Sequence, residues 1–189
     1  TLPSWLSFNA SNKTLSGTPT NAHVGSHNVV IRATDAAGSA TNQSFTISVS
    51  NTNDAPIISS SAVTSVNEDS AYSYTVSASD PDAGDTLTLS ATTLPSWLSF
   101  NASNGTLSGT PTNSHVGSHN VVLRVTDAAG SAVNQSFTIA VSNTNDAPSI
   151  SSSPVTSATE DGAYSYTMSA SDSDPNRGDT LTLSAPTLP

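Results

Sequence analysis

Cysteine is absent from the 189 residues, so no disulfide supports the fold and any staple has to come from elsewhere. Positive charge is scarce as well. Four Lys and Arg stand against 14 Asp and Glu, giving a formal net charge of −10 and a pI near 4.2. A surface of that sign repels polyphosphates, which excludes nucleic acid and anionic membrane as partners. No run approaches the ~18 consecutive apolar residues of a membrane-spanning helix, so no membrane insertion is expected in this segment. Aromatic residues make up 5% and charged residues 10% of the chain. The apolar residues nonetheless alternate regularly, which separates the chain from a disordered acidic tail, and no helical period is visible.

What the chain does have is repetition. Laid on itself it shows a period of 92 residues, and 1–56 matches 93–148 with six differences: Lys13/Gly105, Ala22/Ser114, Ile31/Leu123, Ala33/Val125, Thr41/Val133 and Ser48/Ala140. The short polar segments 50–56 and 142–148 contain Pro and read as linkers. The expected division is therefore the back part of one domain (1–55), a complete domain (56–147) and the front part of another (148–189). A longer array of the same unit is the expected parent.

Within the complete unit, 57–66 is β-branched and follows a Pro, which predicts a first strand. Residues 71–79 alternate, with Tyr72, Tyr74, Val76 and Ala78 on one face. Strands are also predicted at 86–91, 106–108, 120–126 and 136–142, with Trp97, Leu98 and Phe100 anchoring the core. Short strands with turn signals at regular spacing indicate an all-β, seven-stranded Greek-key β-sandwich, repeated in tandem.

The acids fall at four repeating stations: Asp35 and Asp127; Asp54 and Asp146; Glu68/Asp69 and Glu160/Asp161; and Asp80, Asp82, Asp85 with Asp172, Asp174, Asp179. Only Lys13, Arg32, Arg124 and Arg177 are available to offset them. Carboxylates a few Å apart repel by roughly 1 kcal/mol per pair even in water, so these turns call for a cation, and hard oxygen ligands select calcium. Any one of these Asp residues can instead cap its own turn through side-chain-to-backbone hydrogen bonds. Turn capping alone accounts poorly for a chain that places every acid at these stations.

These motifs resemble the cadherin superfamily. Asn-Thr-Asn-Asp-Ala-Pro (51–56 and 143–148) looks like its interdomain linker. Asp80-Pro81-Asp82 looks like its paired-Asp calcium motif, and Thr126-Asp127-Ala128-Ala129-Gly130 like its late Asp turn. Glu68 looks like its early Glu. The run from Leu94-Pro95-Ser96-Trp97-Leu98 to Gly109-Thr110-Pro111 is similar to bacterial dystroglycan-type cadherin-like domains of large surface proteins, also described as immunoglobulin-like repeats. One departure is that Thr110-Pro111-Thr112-Asn113 stands where animal cadherins carry the acidic Leu-Asp-Arg-Glu, which implies fewer ions per junction than the family's three. The resemblance implies ligand sets by domain end. Asp80, Asp82 and Asp127 would meet Asn53 and Asp54 at the entry end. Glu68 and Asp69 would meet Asn145, Asp146, Asp172 and Asp174 at the exit end. Asp35 and Glu160 hold the equivalent places in the partial domains, and Asp85 and Asp179 follow a Gly in the same loops.

The implied function is that of calcium-rigidified stalk repeats of a large extracellular bacterial adhesin or fibre, at the cell surface and without enzymatic activity. The implied partners are neighbouring repeats or copies of the chain itself, head to tail, the tail's Tyr164, Tyr166, Leu181 and Leu183 facing the head's Trp5, Phe8, Phe45 and Ile47. The alternative is a carbohydrate-binding or protein-binding repeat of a polysaccharide-handling protein; for a sugar site Tyr72 and Tyr74 would have to bring their hydroxyls to the surface. His23/His27 and His115/His119 form His-x3-His, a metal-pair spacing on a helix but not in a loop entering a strand.

Overall fold

The computed structural model describes residues 2–174 and 181–187. By compactness the chain forms two units. One gathers Thr1–Ile57 with Ala78–Thr88 and Val125–Val133; the other gathers Ile58–Ser77, Leu89–Arg124 and Asn134–Pro189. The grouping follows the linkers. Asn53 and Asp54 share a unit with the loops at 78–88 and 125–133, and Asp146 shares one with Glu68, Asp172 and Asp174.

At the head, β1 (Leu6–Asn9) pairs antiparallel with β2 (Thr14–Gly17), and β3 (Gly25–Thr34) pairs with β4 (Ala40–Val49) from Gly25↔Val49 to Thr34↔Ala40. In the complete repeat the strands are β5 (Ile57–Ile58), β6 (Ser65–Asn67), β7 (Tyr72–Thr75), β8 (Ala78–Ser79), β9 (Thr88–Thr93), β10 (Leu98–Asn101), β11 (Thr106–Gly109), β12 (Gly117–Thr126) and β13 (Ala132–Ser142). At the tail, β14 (Ser149–Ile150) pairs with β15 (Ala170–Ser171). The only helical pieces among the described residues are 3-10 turns at Asn21–His23 and Asn113–His115.

The complete repeat is a sandwich of a three-stranded sheet, β10-β11-β7, and a four-stranded sheet, β6-β13-β12-β9. Side chains from both meet in one core: Tyr72, Tyr74, Leu98 and Leu107 from the first sheet, and Val121, Leu123, Ile139 and Val141 from the second. The alternation predicted for 71–79 is what places Tyr72, Tyr74 and Val76 inward. Trp97 lies under this layer, edge-on to Tyr72 with ring centroids 5.8 Å apart. Gly109 is required beside it, because a Cβ there would run into the Trp97 carbonyl oxygen.

The single first strand expected over 57–66 is two. β5 pairs with β8, whereas β6 crosses to the other sheet and runs parallel to β13, with Val66 opposite Val141. The segment between them supplies polar partners to the core tyrosines. Val63 O accepts the Tyr72 hydroxyl at 2.7 Å, and Tyr74 Oη lies 2.7 Å from both Ser60 Oγ and Gln135 Oε1. Both tyrosine hydroxyls are thus spent on internal hydrogen bonds, and Tyr72 is only 3% exposed. The surface aromatic platform that a sugar site would need is not made by these two residues.

The near-identical sequences at the head and tail behave differently. Leu107 and Ile139 are fully buried, whereas the equivalent Leu15 and Ile47 are half-buried. Tyr164, the equivalent of Tyr72, is 55% exposed, and Phe8, Phe45, Leu181 and Leu183 are also exposed. The tail still repeats the local hydrogen bonds of the complete repeat, with Tyr164 donating to Val155 O and Tyr166 Oη meeting Ser152 Oγ, both at 2.7 Å.

Candidate metal centre

The first linker leaves β4 and meets two loops, 78–88 and 125–133, in the same compact unit. The Asp54 N–H donates to Asp82 Oδ2 at 2.8 Å. The Asn53 amide donates to Asp127 Oδ2 at 2.8 Å and to Ser131 Oγ at 3.0 Å. Asp127 sits at the start of the β12–β13 turn, where its Oδ1 accepts the Ser131 N–H at 2.7 Å. Asp80 Oδ1 accepts the Asp82 N–H at 2.8 Å, which shapes the Asp-Pro-Asp loop. Asp85 Oδ1 accepts from the N–H groups of Thr86 at 2.7 Å and Ala128 at 3.3 Å, joining the two loops.

These bonds bring Asp80, Asp85 and Asp127 together, with one carboxylate oxygen from each within 4.8 Å of the others. Asp82 is tied to the same loop through its N–H bond to Asp80, and Asp82 Oδ1 and Asp80 Oδ2 are buried with no hydrogen-bond partner. The hydrogen bond from Asn53 holds the Asp127 carboxyl below the usual carboxylate range; desolvation opposes it, and the backbone N–H groups of Ser131, Gly130 and Ala129 reinforce it. Hence the charged form is the stable one here. Buried carboxylate oxygens without donors suit a hard cation.

The second linker has a different complement. Glu68, 1% exposed at the end of β6, accepts the Thr144 N–H at Oε1 at 2.6 Å, while its Oε2 is buried without a partner. Asn143 Oδ1 is orphaned in the same way, and its amide donates to Asp174 Oδ1 at 3.3 Å. The Asp146 N–H donates to Asp174 Oδ2 at 3.0 Å, and the Asp174 N–H to Asp172 Oδ1 at 3.0 Å.

The remaining candidates are placed as follows. Asp69 is exposed with φ 59°, and its N–H donates to Pro111 O at 2.8 Å, so it forms the turn after β6. Asn145 turns its amide to its neighbour's carbonyl, Asp146 O. Asp35 closes its own turn by accepting the Ser39 N–H at 2.8 Å. Glu160 is exposed. Arg177 and Asp179 lie outside the described residues.

Three residues escaped the sequence reading. Asn21 donates to Asp54 Oδ2, and Asn113 to Asp146 Oδ2, each at 2.7 Å. Asn143 is a third, since the linker motif drew attention to its Asn145-Asp146 half. The His-x3-His pairs are explained differently from a metal site. His115 and His119 pack on Trp97, with centroids 6.4 and 5.8 Å from the indole, and His23 and His27 pack on Trp5 in the same way.

The comparisons with known proteins bear on this arrangement. The family model described as "Putative Ig domain" matches residues 1–50 and 55–142. The chain is 34% identical over 152 residues to the "Serine-rich adhesin for platelets" of Staphylococcus aureus strain MRSA252, covering 80% of this chain and 11% of that protein. The same comparison with the adhesin of strain MW2 covers 6% of the relative, so the chain spans a small fraction of the proteins it matches. Among solved structures, the protocadherin GammaB4 extracellular domain is similar over 92% of this chain and 33% of its own, at 22% identity and a TM-score of 0.58. The protocadherin Gamma B2 extracellular domains 3–6 are similar over 92% of this chain and 51% of theirs, at 22% identity and a TM-score of 0.57. At that identity the likeness concerns the fold. No helix among the described residues is long and apolar enough to cross a membrane. With the family model matching well over half of its residues, and with a fold like that of the cadherin ectodomains, the chain belongs to this family of immunoglobulin-like domains.

Proposed function

We propose that the chain is a run of structural repeats in a large extracellular bacterial surface adhesin, non-enzymatic, with calcium bound at each linker. The observation that carries this reading is the first linker's set of acids: three carboxylates within 4.8 Å of one another, with buried, unpartnered oxygens on Asp80 and Asp82. Calcium takes six to eight oxygens, and carboxylate, amide and backbone oxygens all serve. Asp54, Asp80, Asp82, Asp85, Asp127 and the carbonyl oxygen of Asn53 would hold it at the first linker. Glu68, Asn143, Asp146, Asp172 and Asp174 would do so at the second. The bound ion would neutralise acids that otherwise repel one another and would fix each linker between its flanking loops. Near-identical repeats suit a spacer, where length matters more than any one face. The similarity to a staphylococcal adhesin supports the surface setting.

Copies of the chain also associate head to tail in this reading. The exposed Phe8 and Phe45 and the half-buried Leu15 take Tyr164, Tyr166, Leu181 and Leu183 of a second copy, in the register Tyr74↔Leu107 of the complete repeat. Such a contact is heterologous and builds open fibres.

The test is calorimetric titration of calcium into the chelator-stripped protein, with thermal unfolding alongside. Binding heat and a raised midpoint are expected, both reduced in Asp80→Asn. A protein whose midpoint and heats are indifferent to calcium would refute the calcium reading.

A further inference from the structure

Each linker Asp is held from two sides, and only one of them involves the acidic loops. Asp146 donates its N–H forward to Asp174 Oδ2, and its own carboxylate accepts from Asn113 behind it. Asp54 repeats both bonds, forward to Asp82 and back to Asn21. We infer that Asn21 and Asn113 are positioning residues that latch the linker Asp to the preceding 3-10 turn, making each linker a hydrogen-bonded relay that holds its course without a cation. A carboxylate only accepts, so the amide nitrogen is the end of Asn113 that must face Asp146.

The turn that carries Asn113 is built to stay in place. Pro111 is buried beside it, and its carbonyl accepts the Asp69 N–H. The Thr112 N–H donates to His115 Nδ1 at 3.0 Å, and the His115 N–H returns to Thr112 O at 2.7 Å. His119 Nε2 donates to His115 O at 2.6 Å, and both imidazoles pack on Trp97. The repeated His-x3-His spacing thus finds its use: it joins the core Trp to the turn, the turn to Asn113, and Asn113 to the linker. The same route runs from Trp5 through His23 and His27 to Asn21.

The two latches are not equal. Ser173 stands where the preceding repeat has Pro81. Its carbonyl accepts a second bond from the Asn113 amide at 3.1 Å, and its hydroxyl reaches Asp146 Oδ2 at 3.3 Å. The second linker is therefore the more strongly latched.

The test is amide hydrogen exchange by NMR on the whole chain in excess chelator. The wild-type Asp146 N–H should be protected, and Asn113→Ala should speed its exchange by on the order of tenfold, as loss of a charge-assisted hydrogen bond implies. Asn113→Asp should speed it at least as much, because two carboxylates then face each other. The Asp54 N–H, with Asn21 intact, should not change in either variant and serves as the internal control. Unprotected Asp146 in the wild type, or equal rates in wild type and Asn113→Ala, overturns the latch. A wild type that binds no calcium yet keeps this protection removes the calcium reading and leaves the latch standing.

Discussion

Asp85→Asn separates the charge of the acidic cluster from its hydrogen bonds. Asp85 Oδ1 accepts the Thr86 and Ala128 N–H groups, and the Asn carbonyl oxygen can accept both in the same place. What disappears is one negative charge and with it two of the three repulsive pairs among Asp80, Asp85 and Asp127. At the 4.8 Å limit of their separation each pair costs about 0.9 kcal/mol at the dielectric constant of water, and more where the effective constant is lower. Without cation the variant should therefore be more stable than the wild type by about 1.7 kcal/mol before salt screening. For a domain of this size that corresponds to a midpoint raised by roughly 7–14 °C at low ionic strength. With calcium the sign reverses, because a charged ligand has been lost and less binding free energy is linked to folding. Thermal unfolding in chelator and in millimolar calcium, at low and high salt, reads both arms. A midpoint that falls equally in chelator and calcium would show that the three acids neither repel one another nor share an ion.

Further outcomes follow from other residues. Asp82→Ala should weaken calcium binding at the first linker while leaving the core intact, since it removes a buried unpartnered oxygen and strips Asp54 of its acceptor; unchanged affinity in titration would remove Asp82 from the site. Trp97→Ala should cost about 3–5 kcal/mol in denaturant unfolding and do so equally with and without calcium. Burial, followed by the nearby Tyr74, pushes the Tyr72 hydroxyl up to about 12. The unfolded chain ionises near 10, so this contribution to stability is full below pH ~10 and is lost as pH rises toward 12. Urea midpoints across that window should fall in the wild type and fall less steeply in Tyr72→Phe; identical slopes would show that Tyr72 is not the group involved.

How much of this was legible in the sequence depends on the kind of signal. Strict alternation at 71–79 placed Tyr72, Tyr74 and Val76 correctly, because burial of one sheet face imposes a period of two. The same signal could not divide 57–66, since a β-branched run looks alike whether its partner is β8 or β13. The acidic stations marked the linker region because charge without counter-charge is visible in composition. Which oxygens converge was not visible. Asp85 joins the cluster through a hydrogen bond to Ala128, 43 residues away in sequence, and Asp69 leaves its neighbour Glu68 by adopting a left-handed turn. Asn113 was visible only as the end of Thr110-Pro111-Thr112-Asn113, a stretch without a carboxylate; its role depends on a contact with Asp146 that no local pattern announces.

The parallel pairing of β6 with β13 decides how a repeat answers a pull. The chain enters the complete repeat near Ile57 and leaves it after Ser142, and its entering and leaving strands lie side by side over Ser65–Asn67 and Ala140–Ser142. Tension applied along the chain draws these two strands past each other lengthwise, so their hydrogen bonds are loaded together and cannot open one at a time. The β5–β8 pair, only two residues long, offers far less resistance.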